Sequence, residues 1–269
     1  MYRFGWFSTG RDKAARDLLE TACNAIEKGE IKAEIAFVFC SREPGESVES
    51  DRFIALVNSY GIALVCYSYN KFKYGRDSDK QEGALPQWRL EYDRKVMEML
   101  DSFQPDLCIL AGFMLIVGKE MCKRCDMINL HPATPGGPTG TWQEVIWQLI
   151  EGRVTETGVM MHLVTPELDK GPVVSYCTFT ITGIMFDKYW QQLKGQDISE
   201  IKKLQGENNT LFRLIRRHGL KREFPLILAT MKAFSQGKIR ITGGKITNSQ
   251  GAIMGGYNLT AEIDNIISE

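Results

Sequence analysis

The chain has 269 residues, 43% of them apolar and 10% aromatic, which suits a sizeable buried core. Its 33 Lys and Arg balance 33 Asp and Glu, so no global field exists to hold a nucleic-acid backbone or an anionic membrane. A small-molecule partner is therefore expected, with no nucleic acid and no membrane. The first eight residues lack the basic region, long apolar stretch and cleavage site of a secretory signal. No segment approaches the ~18 apolar residues that span a bilayer. Seven scattered cysteines, an odd number, do not form a disulfide framework. A cytoplasmic protein with reduced thiols is expected.

Residues 2–8 read as a strand and 11–28 as a helix, with Ala14, Leu18, Ala22 and Ile26 spaced four apart and Gly29 at its end. Thr9 and Asp12 have the spacing of a capping box. A strand at 33–40, a helix at 51–60 and a strand at 62–67 follow. The polar stretch 71–82 reads as an exposed loop. Residues 87–103 are helical, 107–112 form a short buried strand, and 127–130 form a fifth strand. A helix at 141–150 opens on Thr141 and Glu144, another capping-box pair, before strands at 157–164 and 173–181. This alternation specifies an α/β fold, a mainly parallel twisted sheet with helices on both faces, Rossmann-like. Beyond Gly183 the pattern changes to helices at 187–193, 209–217 and 223–236, then a glycine-rich hairpin at 238–257. One domain over 1–269 is expected, with an α/β core at 1–182 and a C-terminal elaboration at 183–269.

Ligands of such sheets bind beyond the carboxyl ends of the strands, which singles out the loops 8–13, 112–117 and 129–140. Asn129 and His131 alternate across Leu130 at a strand end, so both can face one side. Taken alone, a histidine there is as readily bonded to a neighbouring loop. His162 and His218 read as ordinary satisfied histidines. Asp169, in the turn Glu167-Leu168-Asp169-Lys170-Gly171-Pro172, is common turn chemistry when read alone. Gly10, Arg11 and Lys13 sit at a helix start, where free N–H groups and added cations suit a phosphate, while Asp12 opposes one. Cys122 and Cys125 are two apart with no second pair at zinc spacing, and no metal is expected.

Together these residues resemble a known family. Ile109-Leu110-Ala111-Gly112-Phe113-Met114 looks like the AGFM segment of the glycinamide ribonucleotide formyltransferases, and Ile128-Asn129-Leu130-His131-Pro132 resembles their N-x-H-P. Residues 158–172 are similar to their G-x-x-V-H-x-V-x-x-x-x-D-x-G-P segment, in family order and near-family spacing. The resemblance implies direct formyl transfer from 10-formyltetrahydrofolate to a primary amine. Asn129 and protonated His131 would stabilise the oxyanion, and Asp169 would hold His131 charged and relay protons. It further implies folate binding by Met114, Leu115, Ile116, Val117, Thr165 and Leu168, and a substrate phosphate at Gly10, Arg11 and Lys13. No metal is implied, and self-association into a homodimer is left open. The departures concern the acceptor. Asp12 replaces a loop glycine, Leu115 an arginine, and Leu220 a ribose-binding acid, with Glu223 three residues off; segment 183–210 is longer. Formylation of another amine, such as an amino sugar nucleotide, and a non-catalytic folate- or nucleotide-binding module are the competing readings.

Overall fold

The computed structural model describes residues 1–75 and 85–268. Period-two alternation on β1 (Tyr2–Ser8) sends Phe4 and Trp6 to one face of the central sheet and Phe7 to the other. The same rule divides β2 (Ala33–Cys40), where Val38 and Cys40 join Phe4 while Phe37 and Phe39 join Phe7. Between them, α1 (Lys13–Glu27) buries Leu18, Leu19 and Ala22 on the first face. After β2 come α2 (Val48–Ser59), β3 (Leu64–Cys66), α3 (Tyr69–Lys73) and α4 (Gln87–Leu100). The chain continues through β4 (Leu107–Leu110), α5 (Lys119–Arg124), β5 (Met127–His131), α6 (Trp142–Glu151), β6 (Glu156–Leu163) and β7 (Val173–Thr180). Then follow α7 (Asp187–Gln192), α8 (Ile198–Gln205), α9 (Thr210–Ser235), β8 (Ile239–Thr242), β9 (Lys245–Asn248), β10 (Tyr257–Asn258) and α10 (Thr260–Ser268).

Eight strands form the main sheet in the order β10-β7-β6-β5-β4-β1-β2-β3. Only β6 runs against its neighbours, so the sheet is mainly parallel as expected. Helices α1, α2 and α9 cover one face, where Leu18, Phe53 and Leu226 meet Trp6. Helices α4 and α5 cover the other, where Tyr92, Val96 and Met121 meet Phe7 and Phe39. The strand order turns outward in both directions from β1 and β4, which leaves a crevice beyond their carboxyl ends.

Several local expectations are corrected. Helix α1 starts at Lys13, with Asp12 alone as N-cap; Thr9 makes no capping box, because its hydroxyl accepts the Met114 N–H at 3.0 Å. Helix α2 starts three residues early, at Val48, because Ser47 caps it. Part of the expected loop 71–82 is the end of α3, and its residues 76–82 lie outside the described residues. The helices expected at 209–217 and 223–236 are one 26-residue helix running through Pro225. Proline removes the N–H that would reach the Lys221 carbonyl, but Lys221 is exposed to water while Leu226, Ile227 and Thr230 are fully buried. Burial overrides the breaker. The hairpin is shorter than expected: Gly243 and Gly244, at φ 58° and 73°, make the tight turn between β8 and β9. Tyr257 leaves it to pair with β7 as the sheet edge.

Helices α7 and α8 occupy the long segment after Gly183 and are seated by a separate apolar cluster. Phe186, Leu193 and Ile201 pack there with Trp147, Ile150 and Phe212. Phe212 is 1% exposed, and its ring centroid lies 5.7 Å from that of Trp142 and 5.3 Å from that of Trp147. Among the described residues no helix is long and apolar enough to cross a membrane. Phe212→Ala should cost about 3–5 kcal/mol in denaturant unfolding, through lost burial plus a residual cavity. A loss below ~1 kcal/mol would mean that this cluster does not fasten the segment to the core.

Candidate active site

A cleft of about 650 Å³ opens beyond the carboxyl ends of β1, β4 and β5. Strand β5 delivers Asn129 and His131 to it, and the antiparallel neighbour β6 sets His162 opposite Asn129. The His131 Nε2 lies 2.9 Å from the Pro138 carbonyl oxygen, which can only accept, so that nitrogen carries a proton. Its Nδ1 then faces Asp169 Oδ2 at 3.7 Å. His162 donates from Nδ1 to the Leu163 carbonyl at 3.1 Å, and its Nε2 accepts from Asn129 Nδ2 at 3.3 Å. The same Nε2 stands 3.5 Å from Asp169 Oδ1.

Asp169 reaches this position through an unusual turn between β6 and β7. Its backbone is left-handed, φ 55°, a conformation that aspartate tolerates better than most residues. Two residues later a Cβ on Gly171 would lie 1.7 Å from the Leu163 carbonyl oxygen, so only glycine lets the turn press against the end of β6. The Gly140 N–H donates to Asp169 Oδ2 at 3.2 Å. All three trio residues expected to be catalytic are therefore brought together. His162, read from the sequence as an ordinary satisfied histidine, is bonded as expected but also lines the cleft and touches two of the three.

The side chains of His131, His162 and Asp169 are 3%, 3% and 6% exposed. Burial pushes the His131 pKa below its ordinary 6.5, outweighing the upward pull of the Pro138 carbonyl and the Asp169 carboxylate. Burial also pushes the Asp169 carboxyl up. The neighbouring rings of His162 and His131 and the Gly140 N–H more than offset this, and hold it below the usual carboxylate value. In the free protein Asp169 is thus ionised and His131 is neutral at pH 7. That corrects the expectation that Asp169 keeps His131 charged: at 3.7 Å its attraction loses to the cost of desolvating an imidazolium.

The residues expected to hold the folate form one wall of the cleft. Met114, Leu115, Ile116, Val117, Thr165 and Leu168 all line the cleft. Met114, Ile116 and Leu168 stay 46%, 42% and 51% exposed, an unusual cost for large apolar side chains that a flat aromatic ligand would relieve.

The expected phosphate grip is not assembled. Arg11 lines the cleft, but Lys13 does not; it turns outward to Asp17 at 2.5 Å with its side chain 78% exposed. Gly10 is buried outside the lining. A Cβ there would meet Phe53 at 2.9 Å, and its backbone is left-handed at φ 60°, so packing and conformation account for the glycine. Asp12 caps α1 by accepting the Ala15 N–H at 3.0 Å, so a carboxylate already holds the helix start.

The far wall holds residues that counting along the chain mislaid. Glu223 lines the cleft and pairs with Arg216 at 2.5 Å, and Arg216 lies 4.6 Å over the Trp142 ring. Leu220 does not line it. Three residues are nearly one helical turn, so Glu223 shares the face on which an acid at 220 would stand. The seven-residue spacing of Arg216 and Glu223, two turns of α9, was the available signal. His218 sits outside the cleft against the rings of Phe179 and Phe186. Cys122 and Cys125 also lie outside it, against the carbonyls of Val117 and Met121.

The titration of His131 can be followed by imidazole NMR. Its midpoint should fall below 6.5. Asp169→Asn should lower it further, because the carboxylate favours the charged ring. An imidazolium at pH 7 in the free protein would contradict the burial argument.

A sequence model of the formyl transferase family, described as "Formyl transferase", matches residues 13–183. The phosphoribosylglycinamide formyltransferase of Schizosaccharomyces pombe is 26% identical over 174 residues, 62% of this chain and 77% of that protein. The enzyme of the same name from Dictyostelium discoideum is 35% identical over 166 residues, covering 58% of this chain and 74% of its own. Among solved structures, the phosphoribosylglycinamide formyltransferase of Coxiella burnetii superposes with a TM-score of 0.66 at 18% identity, over 96% of this chain and 98% of that one. At that identity the likeness is one of fold. The family model, the curated relatives and the shared fold converge: this chain belongs to the formyl transferase family, the folate-dependent enzymes that include the phosphoribosylglycinamide formyltransferases.

Proposed function

We propose that this chain transfers the formyl group of 10-formyltetrahydrofolate to the primary amine of glycinamide ribonucleotide, a step of purine biosynthesis in the cytoplasm. The observation that carries the reading is the convergence of Asn129, His131 and Asp169 at one end of an apolar-walled cleft. The names of the curated relatives support the acceptor.

The amine nitrogen attacks the formyl carbon, and the carbonyl π electrons move to oxygen. Asn129 spends one amide hydrogen on His162 and has a second for that oxyanion; one such fixed donor is worth roughly 3–4 kcal/mol. Neutral His131, with Nε2–H held by Pro138, presents the Nδ1 lone pair to the amine proton. The imidazolium so formed has its Nδ1–H beside ionised Asp169, 3.7 Å away. It returns the proton to the folate nitrogen as the carbon–nitrogen bond breaks and the carbonyl reforms. The N-formylated acceptor and tetrahydrofolate leave, with His131 neutral again. Acid–base assistance of this kind contributes about 10²–10⁴-fold. The steps call for neither a metal nor a covalent enzyme intermediate.

A formylation assay with glycinamide ribonucleotide tests the reading; no turnover with an active folate donor sinks it. Asn129→Ala and Asp169→Asn should each lower kcat/KM by about 10²-fold or more while folate binding persists.

A different amine acceptor is the second reading, and Asp12 favours it, because its carboxylate repels an anion at the start of α1. Asp12→Asn keeps the cap and removes the charge. If an acceptor phosphate lies against α1, KM for glycinamide ribonucleotide should fall five- to tenfold, about 1 kcal/mol of relieved repulsion. An unchanged KM places the recognition elsewhere in the cleft.

A further inference from the structure

The apolar wall of the cleft is a loop without secondary structure, residues 113–118, yet its backbone is pinned at both ends. At the first end the Met114 N–H donates to Thr9 Oγ1 at 3.0 Å, and that hydroxyl is itself held by Ser41 at 3.1 Å. At the second end the partners come from the opposite face of the sheet. Arg89 Nη2, on α4, donates to the Ile116 carbonyl at 2.7 Å, and the Gly118 N–H donates to Asp93 Oδ2 at 2.7 Å. Arg89 and Asp93 are bonded to each other one turn apart, with side chains 4% and 3% exposed. The guanidinium lies 5.1 Å over the Tyr92 ring, whose hydroxyl is tied to the Tyr67 carbonyl at 2.7 Å. Gly118 is required at its place, since a Cβ would stand 2.7 Å from Asp93 Oδ2.

A buried ion pair is a poor stabiliser. The two charges give up hydration, and a well-packed apolar pair of similar volume often serves the fold as well or better. What the charges supply here is a rigid bracket: one face of each group holds the other, and the remaining face holds the loop. Neither residue lines the cleft. Between the two pinned ends, Met114 and Ile116 are kept about half exposed. An unpinned loop would relieve that exposure by collapsing inward.

We propose that Arg89 and Asp93 are positioning residues for the folate donor, acting through the backbone of residues 116–118 to hold the apolar wall open. This rests on the assignment of that wall to the folate. Loss of the bracket acts on donor binding and leaves the acceptor end and the catalytic trio intact, because those residues are held by β5, β6 and the Asp169 turn.

The test is the double variant Arg89→Met/Asp93→Leu, which removes both charges together and leaves no unpaired ion. Its thermal midpoint should stay near that of the wild type. KM for 10-formyltetrahydrofolate should rise about tenfold or more, with acceptor KM and kcat at saturating donor changed less than about threefold. Arg89→Lys, whose single ammonium serves the carboxylate but not the carbonyl as well, should show a smaller rise in donor KM alone. A folded double variant with unchanged donor KM overturns the proposal. So does rapid hydrogen exchange of the Gly118 amide in the wild type, which needs no variant. Calorimetry with tetrahydrofolate separates the two levels. Wild-type protein that binds no folate defeats the functional reading, whereas equal binding by wild type and double variant defeats only the bracket.

Discussion

A carboxylate that is 6% exposed needs polar neighbours to stay charged, and Asp169 has them from three separate segments. Gly140 supplies an N–H from the loop before α6, β5 supplies His131, and β6 supplies His162. Gly140 and His131 are far from Asp169 in sequence. They meet because antiparallel β6 sets His162 beside Asn129, and the turn after β6 carries Asp169 back to His131 and Gly140. Gly171 lets that turn close against Leu163, and the left-handed backbone of Asp169 aims its side chain back across the strand ends.

The same burial decides the chemistry of the histidine. A neighbouring carboxylate alone would favour a charged ring, but the enclosure that protects the site from water penalises that charge more. A neutral ring whose Nε2 is committed to Pro138 can use only Nδ1 for proton transfer. The enclosure therefore leaves a neutral ring in the free protein, the form the proposed base requires.

Around this centre the cleft is built from two unlike halves. One side is a loop of apolar side chains held at both ends of its backbone, by Thr9 and by the Arg89–Asp93 pair. The other side is polar and faces α9, whose uninterrupted course through Pro225 carries Arg216 and Glu223 to the cleft and Phe212 to the cluster under α6. Continuity of that one helix links the C-terminal elaboration to the active site.

By itself the sequence determined the architecture and the chemical type of the site. Two-residue alternation in residues 2–8 and 33–40 and helical spacing in 11–28 encode which face each side chain takes, and that is a local property. Order and spacing of the Asn129, His131 and Asp169 segments carried the family resemblance, although Asp169 taken alone was an ordinary turn residue. Tertiary structure decided the rest. It turned Lys13 away, placed Asp12 on the helix start and moved Glu223 onto the cleft face. It also joined His162 to the trio, and set Arg89 and Asp93 behind the apolar wall of the cleft. Each of these depends on burial or on distances between residues far apart in the chain. A pattern of a few residues carries no measure of either, so they became legible only once the sheet had folded.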